Sequence, residues 1–495
     1  MSQADREIEL KFLCAPQDLA AVLAAAPEGD DETRELISVY FDTPDRVLEK
    51  AGASLRVRES GGKRVQTLKR GKGLAREEHE RPVEDLRPDP DLGPLRELLP
   101  PEGAAALQPA FHVRVQRRQR LIRYGGAQIE LALDQGEVRG GDRTSPICEV
   151  ELELKAGEPK ALFELARELS TAAPLYLSFD GKAAQGQALT AGSRPQARRR
   201  EEVVLKPEAT TAEAFQAAAR NALAHMAGSA QALREAPAPE AIHQLRVAAR
   251  RLRSLISTFA PVVGDGRAED VKGELKWLAK ACDLARELDV FADEAPRWAV
   301  GLKPAPEGLP TLLAAAAAAR GPAAAEAAFA ASSERFRSLL LDATAWVETG
   351  DWLADPGRGR DRDRPARAFA ADALDRRLKR LRRKAKGFAG ADDAHRHELR
   401  IEAKKLRYAA EAFASLFPAK RATAFIARLK TVQDELGALN DAAVVGPLLA
   451  GLELDPAAAF AAGELVGVRS AEAPRRLAAA GRALDRLLEA KPFWR

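Results

Sequence analysis

The sequence predicts a multidomain chain. Its first part is α+β, an eight-stranded antiparallel β tunnel or barrel with covering helices. Its second part is all-α, built of duplicated helical bundles. Three observations carry this. Apolar and polar residues alternate at period two up to about residue 190. From about residue 211 the pattern is helical and rich in Ala, Leu, Arg and Glu. Within that half, HQLRVAARRLRS (243–254) returns as HELRIEAKKLRY (397–408), and LKWLAKACDLARELDV (275–290) as LKTVQDELGALNDAAV (429–444), both at an offset of 154 residues.

With 495 residues the chain exceeds one ordinary core. Strand-like runs lie near 7–13, 36–41, 54–59, 64–70, 76–84, 112–123, 127–134 and 148–155. Ser60-Gly61-Gly62 and Gly125-Gly126 supply hairpin turns. Short helices are predicted at 17–26 and 158–170. The polar, unpatterned stretch 191–204 is predicted to be a linker between domains 1–190 and 205–495. Repeats are expected at about 211–350 and 365–495. The alanine-rich segment 311–333 is predicted to form two helices broken at Gly321-Pro322.

A net charge of +4 over this length argues against a generally nucleic-acid-like surface. Cys14, Cys148 and Cys282 are far apart in sequence, which suits a reducing cytosol better than a disulfide framework. Residues 1–25 lack a basic segment followed by an apolar one, and no apolar run reaches spanning length. A soluble, cytoplasmic protein with no membrane partner is expected.

Alternation puts charge on one face of nearly every strand. The first strand gives Glu7, Glu9 and Lys11; later ones give Arg56 and Arg58, Lys69, Glu78 and Glu80, Glu130 and Asp134, and Glu149, Glu151 and Glu153. In VRVQRRQR, alternation alone leaves Arg117 and Arg118 open. One such strand is ordinarily a solvated face. Eight together, each with an apolar back, are enough to close a barrel with room for a small ligand. Inward carboxylates would need cations, and Mg²⁺ or Mn²⁺ suit oxygen donors. Inward Arg and Lys would need an anion of high charge density, and a polyphosphate fits.

Glu7-x-Glu9-x-Lys11 resembles the ExExK signature of the CYTH family of triphosphate tunnel metalloenzymes. The likeness continues through YFDTPD (40–45), LRVR (55–58), TLK (67–69), ALDQG (132–136) and ELELK (151–155), and is closest to bacterial inorganic triphosphatases. It implies metal-dependent hydrolysis of inorganic triphosphate to pyrophosphate and phosphate. By resemblance, Glu7, Glu9, Asp134, Glu149 and Glu151 would hold the metal. Lys11, Arg56, Arg58, Lys69, Arg117 and Lys182 would bind triphosphate, the resemblance favouring Arg117 over Arg118. Glu7, Glu9, Lys11 and Glu78 would be catalytic. Where the family usually has Arg-Gly after the lysine, this chain has Gln185-Gly186, one expected cation fewer. No GxxxxGK[ST] occurs, which disfavours a P-loop hydrolase. Rival readings are hydrolysis of an organic triphosphate such as thiamine triphosphate, adenylate cyclisation, and a non-catalytic polyphosphate-granule protein.

In the second half His243, Arg246, Arg250 and Arg253 fall within a helical sector of roughly 80°, opposite Leu245 and Leu252. His397, Arg400, Lys404 and Arg407 repeat this opposite Leu399 and Leu406. Neither face carries an acidic residue at i±3 or i±4 within it, which points to anion binding. His395 and His397 face different ways and lack a partner at ligand spacing, so zinc is not expected. These motifs resemble the CHAD domain, named for its histidines and built of two helical bundles. The resemblance implies inorganic polyphosphate binding through these eight residues, with Lys276 and Lys430, and also Arg251 and Lys405, as outer contacts. It also suggests association with polyphosphate granules. Few aromatics accompany the basic faces, which disfavours nucleic acid.

Overall fold

A computed structural model describes residues 6–71, 75–192 and 201–495, excepting the side chains of residues 6, 7, 75, 76, 101 and 440–443. The chain divides into two compact units, Met1–Gln196 with Ser333–Ala345, and Ala197–Ser332 with Trp346–Arg495.

The first unit holds an antiparallel sheet of β1 (Arg6–Leu13), β2 (Asp31–Asp42), β3 (Ala53–Ser60), β4 (Lys63–Arg70), β5 (Ala75–Pro82), β6 (Gln108–Tyr124), β7 (Ala127–Gly140), β8 (Arg143–Ala156) and β9 (Tyr176–Ser178). The strand order is β5-β4-β3-β2-β6-β7-β8-β1-β9, and β5 pairs additionally with β1. The expected eight strands are all present, and a ninth was not foreseen. Its origin lies in β1, whose outer edge meets β5 only over Arg6–Ile8 and is taken by β9 over Lys11–Leu13. Both glycine turns form with left-handed pairs, Gly61 and Gly62 at φ 54° and 77°, Gly125 and Gly126 at 56° and 80°.

The helices Leu19–Ala25 and Pro159–Ala172 pack together, the second also against β1, β7 and β8. A core on the sheet's outer face joins Phe41, Leu55, Val57 and Leu68 to Leu95 and Leu99. A second apolar cluster, of Leu36, Tyr40, Phe111, Val113, Val115, Val138 and Ile147, packs against Ala183 and Leu189 of the helix Lys182–Thr190. That helix approaches so closely that a Cβ on Gly186 would lie 2.2 Å from the Phe111 ring.

The second unit is helical. Its first long helix, Thr211–Glu235, opens on a capping box in which Thr210 and Glu213 satisfy each other's backbone amides. The duplication is visible in the core. Phe215 and Phe259 recur as Phe369 and Phe413, and the Phe259 ring lies 5.2 Å from Phe369 and 5.3 Å from Phe413. Leu245, Leu252, Leu399 and Leu406 are buried, as their helical positions predict.

Two expectations change. Leu309–Ser332 is one helix running through Pro322, because burial of Leu312, Ala316, Ala323, Ala324 and Ala327 along both parts outweighs the hydrogen bond that proline removes. Within the expected linker, residues 193–200 lie outside the described residues, but Val203 is buried, and just beyond it Leu205 donates its amide to Ser415 Oγ at 3.0 Å.

Candidate active site and anion-binding cluster

Strand register assembles the first site. Arg117 of β6 lies opposite Asp134 of β7, and Asp134 opposite Glu149 of β8; Lys11 of β1 lies opposite Glu151. Across the other side, Tyr40, Arg56, Thr67 and Glu80 form one row through β2 to β5, and Lys69 faces Glu78. A cavity of about 540 Å³ opens between these rows. Lys11, Arg56, Arg58, Lys69, Arg117 and Lys182 all line it, as do Glu9, Glu78 and Glu151.

At its base lies a buried ionic network. The Lys182 ammonium stands 2.7 Å from Asp134, 2.7 Å from Glu149 and 2.8 Å from Glu151. Lys11 reaches Glu149 at 3.2 Å, Glu9 at 3.3 Å, and Glu151. Arg117 forks onto Asp134 at 2.7 and 2.6 Å and also binds Glu151. Three cations thus face the three buried carboxylates Asp134, Glu149 and Glu151. Burial alone would raise the pKa of each carboxyl, but the surrounding cations overturn it. Asp134 and Glu149 are held below the usual range, and Glu151 well below. The same carboxylates overcome desolvation to raise Lys182, and to raise Lys11 well above its ordinary value.

Further up the wall, Glu78 lies 3.2 Å from Lys69 and 3.8 Å from Arg56. Among the described residues Arg58 makes no ion pair with a carboxylate, and its Nε donates to Ser38 Oγ at 3.3 Å. Burial, then repulsion by Arg56 and Arg117, lowers its pKa to about 10. On this wall Arg56, Arg58, Lys63 and Lys69 line the cavity with Glu78 and Glu80, more cations than carboxylates.

The ambiguity in VRVQRRQR is resolved by the structure. Arg117 is inward and 9% exposed, whereas Arg118 is exposed and bound to Asp31 at 2.6 Å. Gln185 donates from Nε2 to Glu149 Oε1 at 2.5 Å. The Glu7 side chain lies outside the described residues; its backbone pairs with Arg76. Sequence reasoning missed Arg34, Lys63, Lys155 and Tyr40, which also line the cavity. Alternation from the strand residues already identified would have found Lys63 and Lys155.

Asp134, Glu149 and Glu151 can each bring an oxygen within 4.8 Å of the others. An all-oxygen carboxylate donor set fits a hard divalent cation such as Mg²⁺ or Mn²⁺, with Glu9 beside it on Lys11.

In the second unit the helices Pro239–Thr258 and Asp393–Phe413 pack together, bringing the two copies' basic faces into one cluster. Lys404 lies in the field of Arg400, Arg250, Arg246 and Arg407. Burial first, then these four cations, pushes its pKa down to about 7. Arg250 falls to about 10 by burial and by Arg246, partly offset by Asp283. His243 is lowered by burial, Arg286 and Arg246. Its buried Nδ1 has no hydrogen-bond partner among the described residues.

The faces are not free of carboxylates, contrary to the sequence reading. Asp283 binds Arg246 and stands 3.4 Å from Arg250, and Glu411 lies 3.7 Å from Arg407 one turn on. Arg251, expected as an outer contact, is 2% exposed and 3.7 Å from Glu411, so it belongs to the interior. Lys405 pairs with Glu402 at 2.8 Å. Lys276 and Lys430 are exposed, and no hydrogen bond or ion pair among the described residues joins them to the cluster. His397 is exposed and Arg253 half-buried. Arg286 and Asp283 were missed, because they come from the helix Asp283–Ala299, in the other repeated stretch, rather than from the histidine-led face.

Cys14 and Cys148, distant in sequence, face each other with sulfurs 3.7 Å apart, and burial raises both thiol pKa values. Among the described residues no helix is long and apolar enough to cross a membrane.

Residues 5–186 match the family model of the CYTH domain and residues 217–450 that of the CHAD domain. The inorganic triphosphatase of Haemophilus influenzae is 33% identical over 193 residues, which is 37% of this chain and 55% of that protein. The chain thus spans about half the length of this curated relative. The crystal structure of the CHAD domain from the plant Ricinus communis is 30% identical, with a TM-score of 0.53 over 60% of this chain and 98% of that one. PptA from Streptomyces chartreusis is 20% identical, with a TM-score of 0.42 over 57% of this chain and all of that one.

Proposed function

We propose that this chain, which belongs to the CYTH family through residues 5–186 and to the CHAD family through residues 217–450, hydrolyses inorganic triphosphate in its first domain and binds inorganic polyphosphate with its second. The domain limits 1–190 and 205–495 follow the same reading. One observation carries the hydrolytic assignment. A single cavity brings six cations against Glu9, Glu78 and Glu151, with Asp134 and Glu149 buried behind Glu151 and Lys182.

Hydrolysis of a phosphoanhydride by water is mainly positioning and charge stabilisation. Arg56, Arg58 and Lys69 are placed to grip the phosphates along one wall, and Lys11, Arg117 and Lys182 at the base. Glu78 holds Lys69 and Arg56 in position. Asp134, Glu149 and Glu151, with Glu9, are the residues that would hold Mg²⁺ or Mn²⁺. Such an ion would neutralise phosphoryl charge and orient water. The surrounding cations keep these carboxylates ionised, and a bound ion would exchange for the Lys182 ammonium that now stands among them. The triphosphatase named among the relatives supports the same substrate class.

The test is phosphate release from tripolyphosphate, ATP and thiamine triphosphate, each with Mg²⁺ or Mn²⁺. Tripolyphosphate should be preferred, because among the described residues Tyr40 is the one aromatic of the lining and its ring is already stacked on Phe111 at 4.6 Å; a preference for either organic substrate would overturn the assignment.

For the second domain, what supports polyphosphate is the merging of two repeated cation faces into one cluster whose members depress each other's pKa. Arg250→Ala with Arg253→Ala should weaken binding of a long polyphosphate, and adding Lys404→Ala with Arg407→Ala should weaken it further. Tighter binding of duplex DNA of equal charge at physiological salt would replace polyphosphate by nucleic acid.

A further inference from the structure

The helix Ala366–Ala385 contains DRRLKRLRRK, a basic run outside both repeated motifs. Three of its residues, Arg376, Arg377 and Arg380, line a cavity of about 250 Å³ with Ser257, Thr258, Ala260, Pro261 and Ala373.

The duplication shows what this part of the fold does without those charges. The aromatic pairs Phe215/Phe369 and Phe259/Phe413 fix the same 154-residue offset for these helices. At that offset Arg376, Arg377 and Arg380 stand where the first copy has Ala222, Leu223 and Met226, each 0% exposed. An all-apolar solution therefore packs at the equivalent place. In the second copy a guanidinium, Arg377, is instead 5% exposed.

Its compensation is incomplete. Arg377 Nη2 donates to Thr258 Oγ1 at 3.2 Å, and Nη1 lies 3.8 Å from Glu402, beyond hydrogen-bond distance. Glu402 Oε1 accepts from Lys405, while its buried Oε2 has no hydrogen-bond partner among the described residues. Arg376 and Arg380 are exposed, and neither has a carboxylate partner among the described residues. Burial, with repulsion from Arg380 and Arg376, lowers the Arg377 pKa despite Glu402. A desolvated cation with two more beside it is destabilising unless an anion completes it.

We propose that this cavity is a phosphate-binding site, distinct from the histidine-led cluster, that takes an anion of about pyrophosphate size on Arg376, Arg377 and Arg380. Guanidinium forks match phosphate oxygens, and three guanidinium groups line this cavity. The phosphate is either free pyrophosphate or the end of a longer chain.

The experiment is calorimetric titration of the full chain with pyrophosphate and, separately, with long-chain polyphosphate, in chelator to remove divalent ions. Arg376→Ala with Arg380→Ala should lose one pyrophosphate equivalent relative to the parent. Lys379→Ala with Arg383→Ala, which removes the same charge outside the cavity, should not. A parallel fall in polyphosphate affinity identifies the chain end as the occupant, and unchanged polyphosphate affinity identifies free pyrophosphate. Arg377→Leu restores the first copy's residue, so it should fold at least as stably and lose the same equivalent. Equal pyrophosphate stoichiometry in the parent and the cavity variants, or equal loss in the charge-matched control, overturns the proposal.

Discussion

Arg117 and Asp134 are directly opposite each other in the β6–β7 register and meet as a two-pronged ion pair at 2.7 and 2.6 Å, with Asp134 completely buried. Position in the ladder therefore sets which charges neutralise each other at the base of the cavity. Asp134→Asn leaves Arg117 and Lys182 with one carboxylate fewer. Breaking such a buried pair should destabilise the first domain by about 3–5 kcal/mol, measured by urea denaturation.

The same network predicts a stability plateau. Asp134, Glu149 and Glu151 have folded pKa values below the usual carboxyl range, so their contribution is full above that range and is lost as pH falls through the folded values. Lys11 and Lys182 are raised, so theirs is full below the ordinary lysine value and is lost as pH rises through the folded ones. Melting temperature against pH should be flat in this network's contribution between about pH 5 and pH 10; a step near neutrality that Lys182→Met removes would contradict the assignment.

Glu9 lines the cavity, 3.3 Å from Lys11 and partly open to it. Glu9→Gln keeps the size and deletes the charge, so the protein should fold while kcat for tripolyphosphate drops by about 10²–10³-fold. Near-parental turnover under saturating Mg²⁺ or Mn²⁺ would remove Glu9 from the active site.

Much of this site was legible because β alternation is a local rule. Once Ile8, Leu10 and Phe12 are assigned to the apolar side, Glu9 and Lys11 share the other face. Arg117 was legible only in part, since alternation in VRVQRRQR left it open against Arg118 and its inward place is seen only in the fold. The apolar cluster around Tyr40 and Phe111 was not legible, because it depends on a helix 70 residues further on that places Ala183 and Leu189 over them. In the helical half, periodicity located His243, Arg246 and Arg250. It could not show that Asp283 reaches across from the helix Asp283–Ala299, nor that both copies converge on Lys404. Arg251 was misassigned because helical periodicity says which faces differ, not which one a neighbouring copy covers.

Burial and the cations around Lys404 bring its titration near neutrality. Its pKa of about 7 means that the free protein loses this charge above pH 7, and a bound phosphate would favour the protonated form. Polyphosphate affinity should therefore fall as pH rises from 7 to 8.5, by up to about tenfold per pH unit. His243, lowered below its ordinary value, adds charge only under more acid conditions. Fluorescence anisotropy at constant ionic strength measures this, and Lys404→Arg should flatten the profile. A profile that persists in Lys404→Arg would assign the dependence elsewhere.

Asp283 offers the sharpest test of how the cluster receives a polyanion. Its carboxylate binds Arg246 and lies 3.4 Å from Arg250, two of the cations assigned to phosphate. At the 154-residue offset the second copy has Gly437, where a Cβ would stand only 3.7 Å from the Arg400 guanidinium. The first copy thus supplies a carboxylate at a position where the second has no side chain. A polyphosphate engaging Arg246 and Arg250 competes with that carboxylate, which is partly exposed. Its removal should strengthen binding by about fivefold, corresponding to about 1 kcal/mol for a pair of this exposure. The salt dependence should also steepen by about one counterion. Asp283→Asn, nearly isosteric, is the variant to measure. If affinity falls instead, Asp283 acts by holding Arg246 and Arg250 in place, and its role is positioning rather than competition.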